Sequence, residues 1–420
     1  MKKLTALLLA LVMVLGLAVA CDKEEEPTVT DPPAVNDPTD PAEEATDPAE
    51  EPNLDPIILG SIQDTSGGAA SAGQPNEWGV KYAVDYINEN GGINGRMIEL
   101  HSRDCQNDTE VGVTNYRELV DQVGVHAIIG PPLSNPASAW VELATEDEIP
   151  IVGHFMDEVC TTDPVTGEAY PYMFLAEPSC SRQSYIIAKY AMEELGVKTV
   201  ATLFNTSNSF ATAHEIPFVD YVANNGGEVL AEETFTWTDT DYSAQALKIA
   251  SLNPDAVFLS DYVNQMSTAY DNLRDAGYEG VILGANTMGS PFDTLVKNEI
   301  KDCYFIQNYN LAEGLIGELT QAHMDDTNTE YRKTNVGFGW DAVMVLANAM
   351  KLANDPTDGS EVRDLLETKT VDVEICGPEK ITIDPDTHRP ISNLGVYIAT
   401  YDENGATDYL VYMASDYESK

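Results

Sequence analysis

The residue types that could do chemistry mostly exclude reactions. The six histidines, His101, His126, His154, His214, His323 and His388, are scattered, and none stands at metal-ligand spacing from another. The chain contains no GxSxG, HExxH or GxxxxGK[ST] string. Acidic pairs abound, but among 70 aspartates and glutamates they arise by chance. These absences argue against catalysis, and no metal or cofactor is expected. The DPDTH string at Asp384 to His388 lacks calcium-loop spacing and reads as a turn between strands. Of the cysteines, Cys105, Cys160, Cys180, Cys303 and Cys376 form no CxxC, which disfavours zinc or redox chemistry. Cys160 and Cys180 flank a turn-rich loop and are expected to pair; Cys303 with Cys376 is the second candidate pair.

What remains is binding chemistry, carried by polar residues in loops that follow apolar runs. GPPLSNPAS puts Ser134, Asn135 and Pro136 at a helix start. Either Ser134 only caps that helix, or its hydroxyl and the adjacent N–H groups also hold an anion. QDTSGGAASAG offers Thr65 and Ser66 as cleft-rim groups or as parts of a flexible edge. Further on, NTSNSF contains Ser207, and Asp261 and Tyr262 follow the run ending at Ser260. A buried ammonium would require a carboxylate, and Asp261 is placed to provide one.

The elements that position these loops alternate between strand and helix. Residues 55–62 read as a strand, and 77–90 as a helix with Gly79, Ala83 and Ile87 on one face, stopping at Asn90-Gly91-Gly92. Strands at 96–102, 125–130 and 149–153 alternate with helices at 109–124 and from Ser134. The second half repeats the plan. Helices at 182–196, 211–225, 242–253 and 264–277 alternate with strands at 199–205, 228–232, 256–260 and 280–284. NENGG ends a long helix in the first half, and ANNGG does so in the second. Such alternation implies an α/β fold of two doubly wound parallel-sheet lobes. Ligands of such sheets sit beyond the carboxyl ends of the strands, so two facing lobes enclose a cleft that closes by a hinge.

Ahead of these elements lies an address. Residues 1–20 have a basic tip, an apolar run too short to cross a bilayer, and small residues before Cys21. They read as a lipoprotein signal peptide with Cys21 as the lipid attachment, or as an ordinary cleaved signal. Residues 21–54 form an acidic, proline-rich and aromatic-free stretch that reads as a disordered tether. A formal charge of −48 excludes nucleic acid as a partner, because phosphate binding requires a basic face. It also disfavours docking on anionic lipid, leaving membrane contact to the anchor.

Four strings then resemble one family: GVKYAVDYINENGGINGRMIELHSRDCQND, IIGPPLSNPASAWVELATEDEIPIV, TDTDYSAQALKIASLNPDAVFLS and GWDAVMVLANAMKLA. They are similar, in order, to the branched-chain amino acid-binding (leucine-binding) family of type I periplasmic binding proteins, which deliver solutes to ABC transporters. The resemblance implies a three-crossing hinge near Leu175-Ala176, Ile306-Gln307 and Arg389-Pro390. One lobe then holds residues 56–175 and 308–389, the other 176–307 and 390–420. It implies that the Ser134-Asn135 loop meets a ligand carboxylate. It further implies that His154 and Phe155 face the ligand as polar group and apolar wall, and that Tyr262 packs on it. In amino acid-binding relatives an acidic residue occupies the position held here by Asn286, so either Asp261 supplies that charge or the ligand has no ammonium. The expectation is a monomeric, extracytoplasmic, membrane-anchored protein that binds an amino acid or similar solute and docks on an ABC transporter permease. The alternatives are a ligand-sensing lipoprotein that serves a membrane receptor and a purely structural surface lipoprotein.

Overall fold

The computed structural model describes residues 54–289, 291–368, 375–376, 381–391, 396–401 and 408–414. The leader, Cys21 and all of the tether before Leu54 lie outside the described residues. No helix among the described residues is long and apolar enough to cross a membrane.

Two sheets organise the chain. The first takes β1 (Ile57–Gln63), β2 (Ile98–Asp104), β3 (Ala127–Ile129), β4 (Ile151–Gly153) and β5 (Met173–Leu175), in the order β2-β1-β3-β4-β5, all parallel. The second begins with β6 (Thr199–Asn205), β7 (Glu228–Phe235), β8 (Ala256–Ser260), β9 (Val281–Gly284) and β10 (Cys303–Gln307). A short hairpin, β11 (Ile383–Asp384) with β12 (Arg389–Pro390), comes before β13 (Val396–Tyr401) and β14 (Asp408–Ala414) complete the second sheet. Its order is β14-β13-β10-β9-β8-β6-β7. The DPDTH stretch is the turn of that hairpin. Parallel pairing dominates the second sheet as expected, and β13 at its end runs antiparallel to both β10 and β14. The six residues between β13 and β14 are too few for a parallel crossover.

Helices cover both faces of each sheet, which is why the strands alternate between two apolar clusters. In β3, Ala127 and Ile129 pack with Val336 and Trp340, whereas Ile128 packs with Tyr116 and Trp140. In β8, Val257 and Leu259 join Met266 and Tyr270, whereas Ala256 and Phe258 join Ile187 and Phe218. The helices are α1 (Ala70–Glu89), α2 (Thr109–Arg117), α3 (Ser134–Ser138), α4 (Val141–Asp147), α5 (Cys180–Glu193) and α6 (Ser209–Asn224). After these come α7 (Ser243–Leu252), α8 (Val263–Asp275), α9 (Phe292–Leu295), α10 (Gly314–Thr327), α11 (Thr334–Leu352) and α12 (Gly359–Thr368). The helix expected over 109–124 is α2 continued as a π-helical stretch to Val123, ending at Gly124 with φ 77°.

Packing of α1 on α11 depends on two glycines. A Cβ at Gly79 would lie 2.2 Å from the Val336 carbonyl oxygen, and one at Gly339 would lie 2.1 Å from that of Asn76. The helix backbones therefore touch where larger residues would hold them apart. Helix α1 also starts earlier than its apolar pattern suggests. The Asp64 carboxylate accepts the N–H groups of Gly67 at 2.6 Å and Ala69 at 2.7 Å, folding the supposed edge loop into the helix entrance.

The expected disulfides are absent: all five cysteines among the described residues are free thiols. The Cys160 thiol lies 3.4 Å from the Ser134 carbonyl oxygen, and that of Cys180 lies 3.9 Å from the Phe210 carbonyl. Cys303 lies against Met288 at 3.3 Å. Burial pushes the Cys160 and Cys180 thiols well up, the state of inert structural cysteines.

Candidate functional site

Both sheets reverse their strand order at a point where neighbouring carboxyl ends open a crevice. In the first sheet this lies between β1 and β3, and in the second between β6 and β8. A cavity of about 90 Å³ lies against both. One water occupies about 10–15 Å³ on this measure, so the space suits a guest of several heavy atoms. The first sheet contributes Ala69, Ser71 and Ala72 at the start of α1, Leu133 and Ser134 after β3, and His154 and Met156 after β4. The second contributes Phe210, Tyr262, Asn286 and Gln307 from α6 and from the ends of β8, β9 and β10. The end of the α10–α11 connection closes a third side with Arg332 and Lys333, and Thr334, Asn335 and Phe338 follow on α11.

An apolar cluster that contributes to the cavity wall joins the two halves. Leu133, Met156 and Leu175 from the first share it with Phe210, Tyr262 and Ala285 from the second and with Phe338. Gly130, with φ 109°, brings the loop after β3 into place; a Cβ there would lie 2.3 Å from the Ile62 carbonyl oxygen.

Ser134, His154, Tyr262 and Asn286 line the cavity. His154 is 3% exposed, stacks on Phe338 at 5.2 Å between ring centroids, and neither of its ring nitrogens has a hydrogen-bond partner among the described residues. Burial pushes its pKa down to about 3, so the ring is neutral and offers one N–H donor and one bare acceptor. Tyr262 sits between Phe210 and Trp237, at centroid distances of 6.1 and 5.6 Å. Asn286 donates to Asn308 Oδ1 at 3.2 Å, while its own Oδ1 has no partner among the described residues.

The other expectations shift. Ser134 is not the helix cap: Leu133 holds that position, and α3 is a five-residue turn. The Ser134 hydroxyl instead accepts the Asp157 N–H at 3.3 Å. Phe155 is fully buried and packed with Tyr116 and Trp140, its ring folded back against Gly153, where a Cβ would lie 2.6 Å from it. Met156 and Phe338 supply the apolar wall instead. Asp261 does not reach the cavity. Its carboxylate accepts from the side chains of Asn205 at 2.8 Å and Asn208 at 2.7 Å, and from the Tyr262 N–H at 2.8 Å. Burial still raises its pKa to about 6. Thr65 and Ser66 both bind Asp104, away from the cavity.

Asn135 and Ser207 work at the rim. Asn135 Oδ1 accepts the Ser209 N–H at 2.9 Å and the Ser209 hydroxyl at 2.7 Å, and Asn135 Nδ2 donates to the Ser207 carbonyl at 3.2 Å. Ser207 thus takes part through its backbone, and the same carbonyl accepts the Trp237 indole N–H at 3.1 Å. These bonds join a loop of the first half to one of the second.

Sequence reasoning missed the third wall. Arg332 and Lys333 stand just before α11, and a cation ahead of a helix is not itself a ligand signal. Together they leave a lining in which Arg332, Lys333 and His154 are the titratable nitrogen groups and no aspartate or glutamate appears among the described residues.

Comparison with known proteins agrees with this architecture. The family described as periplasmic binding protein matches residues 56–406. The chemotactic signal transduction system substrate-binding protein BasB of Halobacterium salinarum is 28% identical over 247 residues, covering 56% of this chain and 57% of the relative, so the match spans less than two thirds of that protein. The leucine-, isoleucine-, valine-, threonine- and alanine-binding protein of Pseudomonas aeruginosa is 23% identical over 373 residues, covering 85% of this chain and 90% of its own. The branched-chain amino acid transporter substrate-binding protein LivJ of Streptococcus pneumoniae, solved with isoleucine, superposes with a TM-score of 0.72 at 26% identity, covering 85% of this chain and 99% of that one. With the family match running over residues 56–406, most of the chain, the chain belongs to the periplasmic binding protein family.

Proposed function

We propose that this protein is an extracytoplasmic, lipid-anchored solute-binding protein that captures an amino acid or similar small polar solute in the cavity between its sheets and delivers it to an ABC importer. One observation carries the reading: His154 is buried on the cavity wall with both ring nitrogens unpartnered among the described residues. An unsatisfied buried polar group costs about 1–3 kcal/mol, a cost that a guest with matching groups removes. The names of the Pseudomonas and Streptococcus relatives support an amino acid-sized solute and an ABC transporter partner.

β5 ends at Leu175 in the first sheet, β10 ends at Gln307 in the second, and the β11–β12 hairpin precedes β13 of the second sheet; this order supports a three-stranded hinge with lobes of residues 56–175 plus 308–389 and 176–307 plus 390–420. Tyr309, just past the second passage, lies 2.5 Å from Glu177 Oε1, just past the first, and 3.0 Å from Asp341 Oδ2 on α11. The leader ending at Cys21 supports the anchor: the wild-type protein should partition into detergent, and Cys21→Ser should move it to the aqueous phase. The BasB relative supports a second reading, presentation of the solute to a membrane receptor.

A thermal-shift screen with amino acids, short amides, polyamines and aromatic acids tests solute capture. A guest at 100 times its Kd stabilises by about 2.7 kcal/mol. A flat response across the screen would favour a structural surface protein.

A further inference from the structure

Resting on the solute-capture reading, the charges around the cavity narrow the guest. The chain has 70 acidic and 22 basic residues, yet the charged side chains in the described lining are Arg332 and Lys333. The acids nearby are turned away. Asp64 holds the Gly67 and Ala69 N–H groups, Asp157 accepts the Val159 N–H at 3.2 Å, and Asp261 is bound by two asparagine side chains and a backbone N–H. After β9 stands Asn286, an uncharged side chain. The guanidinium of Arg332 donates to the Gly317 carbonyl at 2.8 Å, the Thr320 hydroxyl at 2.7 Å and the Gln321 amide oxygen at 3.1 Å, all uncharged acceptors. Asp293 is an acid whose field reaches Lys333, and it is not part of the lining.

An ammonium in this space would lose its hydration, find no carboxylate, and face cations on the third wall. A carboxylate would gain those cations. The two unpartnered nitrogens of neutral His154 and the bare Asn286 Oδ1 ask for a further uncharged oxygen group on the guest. We infer that the cavity is built for a small organic acid without an ammonium group, one that carries a hydroxyl or carbonyl beside its carboxylate and an apolar body against Phe210, Tyr262 and Phe338.

Titration calorimetry on the purified full-length protein, with guests matched in shape, tests this. The series is α-ketoisocaproate, α-hydroxyisocaproate, leucine and isoamylamine, with para-hydroxybenzoate and tyramine as the ring-bodied pair. At least one acid should bind tenfold or more tighter than leucine, a difference of about 1.4 kcal/mol, and both amines should fail to bind. Lys333→Gln should weaken the best acid at least tenfold, and Lys333→Arg should restore most of the affinity. Leucine or an amine binding as tightly as the matched acid would overturn the acid assignment and leave solute capture standing. Full affinity in Lys333→Gln would overturn the role of the cationic wall. No binding by any member, acid, amine or amino acid, would overturn the assignment and remove the support for solute capture with it.

Discussion

His154 shows why a binding residue is hard to read from sequence and easy to read from structure. GHFMDE gives two neighbouring candidates, and an irregular loop has no periodicity to say which faces the cavity. After β4 His154 lines the cavity, while the Phe155 ring folds back against Gly153 into the core. Nothing in the residue types predicts that direction. Because His154 is buried and unpartnered, it trades stability for binding. His154→Phe should raise the unliganded protein's melting temperature and weaken the guest by about 1–3 kcal/mol, read by calorimetry and thermal denaturation on the same samples. Lys333 adds a pH dependence. Burial lowers its pKa to about 8, so it is charged below that value and neutral above it. Among the groups near it are Asp293, which favours its charge, His323, and the Tyr331 ring at 5.7 Å, with Arg332 beside it in the lining. Affinity for an acid should therefore be full below about pH 7 and fall as pH rises through about 8. A titration from about pH 6 to about pH 10 should show that fall in the wild type and none in Lys333→Gln.

At the scale of elements the alternating pattern was legible. Each strand and helix read from apolar spacing has its counterpart, because apolar periodicity reports burial on a sheet face or helix stripe, and burial decides these elements. Boundaries moved where a side chain captured backbone, as Asp64 does before α1. The antiparallel strands at the end of the second sheet carried no usable signal, since alternation within a strand says nothing of its direction. The disulfide expectation failed for a related reason: a turn-rich loop between cysteines fixes neither thiol's orientation. The pairing of α3 with α6 was likewise invisible, since Asn135 and Ser209 are far apart in sequence. Their bonds cross between the halves and hold the mouth narrowed. Asn135→Ala should favour a more open form, seen as a larger radius of gyration by solution scattering and a faster guest off-rate. Unchanged scattering and off-rate would mean that the apolar cluster alone holds the halves together.

The whole molecule sets a long-range field against its own cavity. Its formal charge is −48, whereas the lining is cationic. An acid must cross a repulsive field to reach an attractive site. Screening shortens that field, from a Debye length of about 30 Å at 0.01 M salt to about 8 Å at 0.15 M. The association rate of an acid should therefore rise with added salt, as measured by stopped-flow mixing. A guest with a net positive charge would show the opposite trend.

Trp237 gives the mouth a reporter of its own. It is 40% exposed, its ring lies close to Tyr262, and its indole N–H shares the Ser207 carbonyl with Asn135. Separation of the two halves would take Asn135 from that carbonyl and change the solvent around the indole, while Trp140 and Trp340 stay inside the packed layers and Trp78 stays against Tyr82 and Asp326, outside the lining. The protein thus carries a natural fluorophore at its gate, and its opening and closing can be followed by emission without an attached dye.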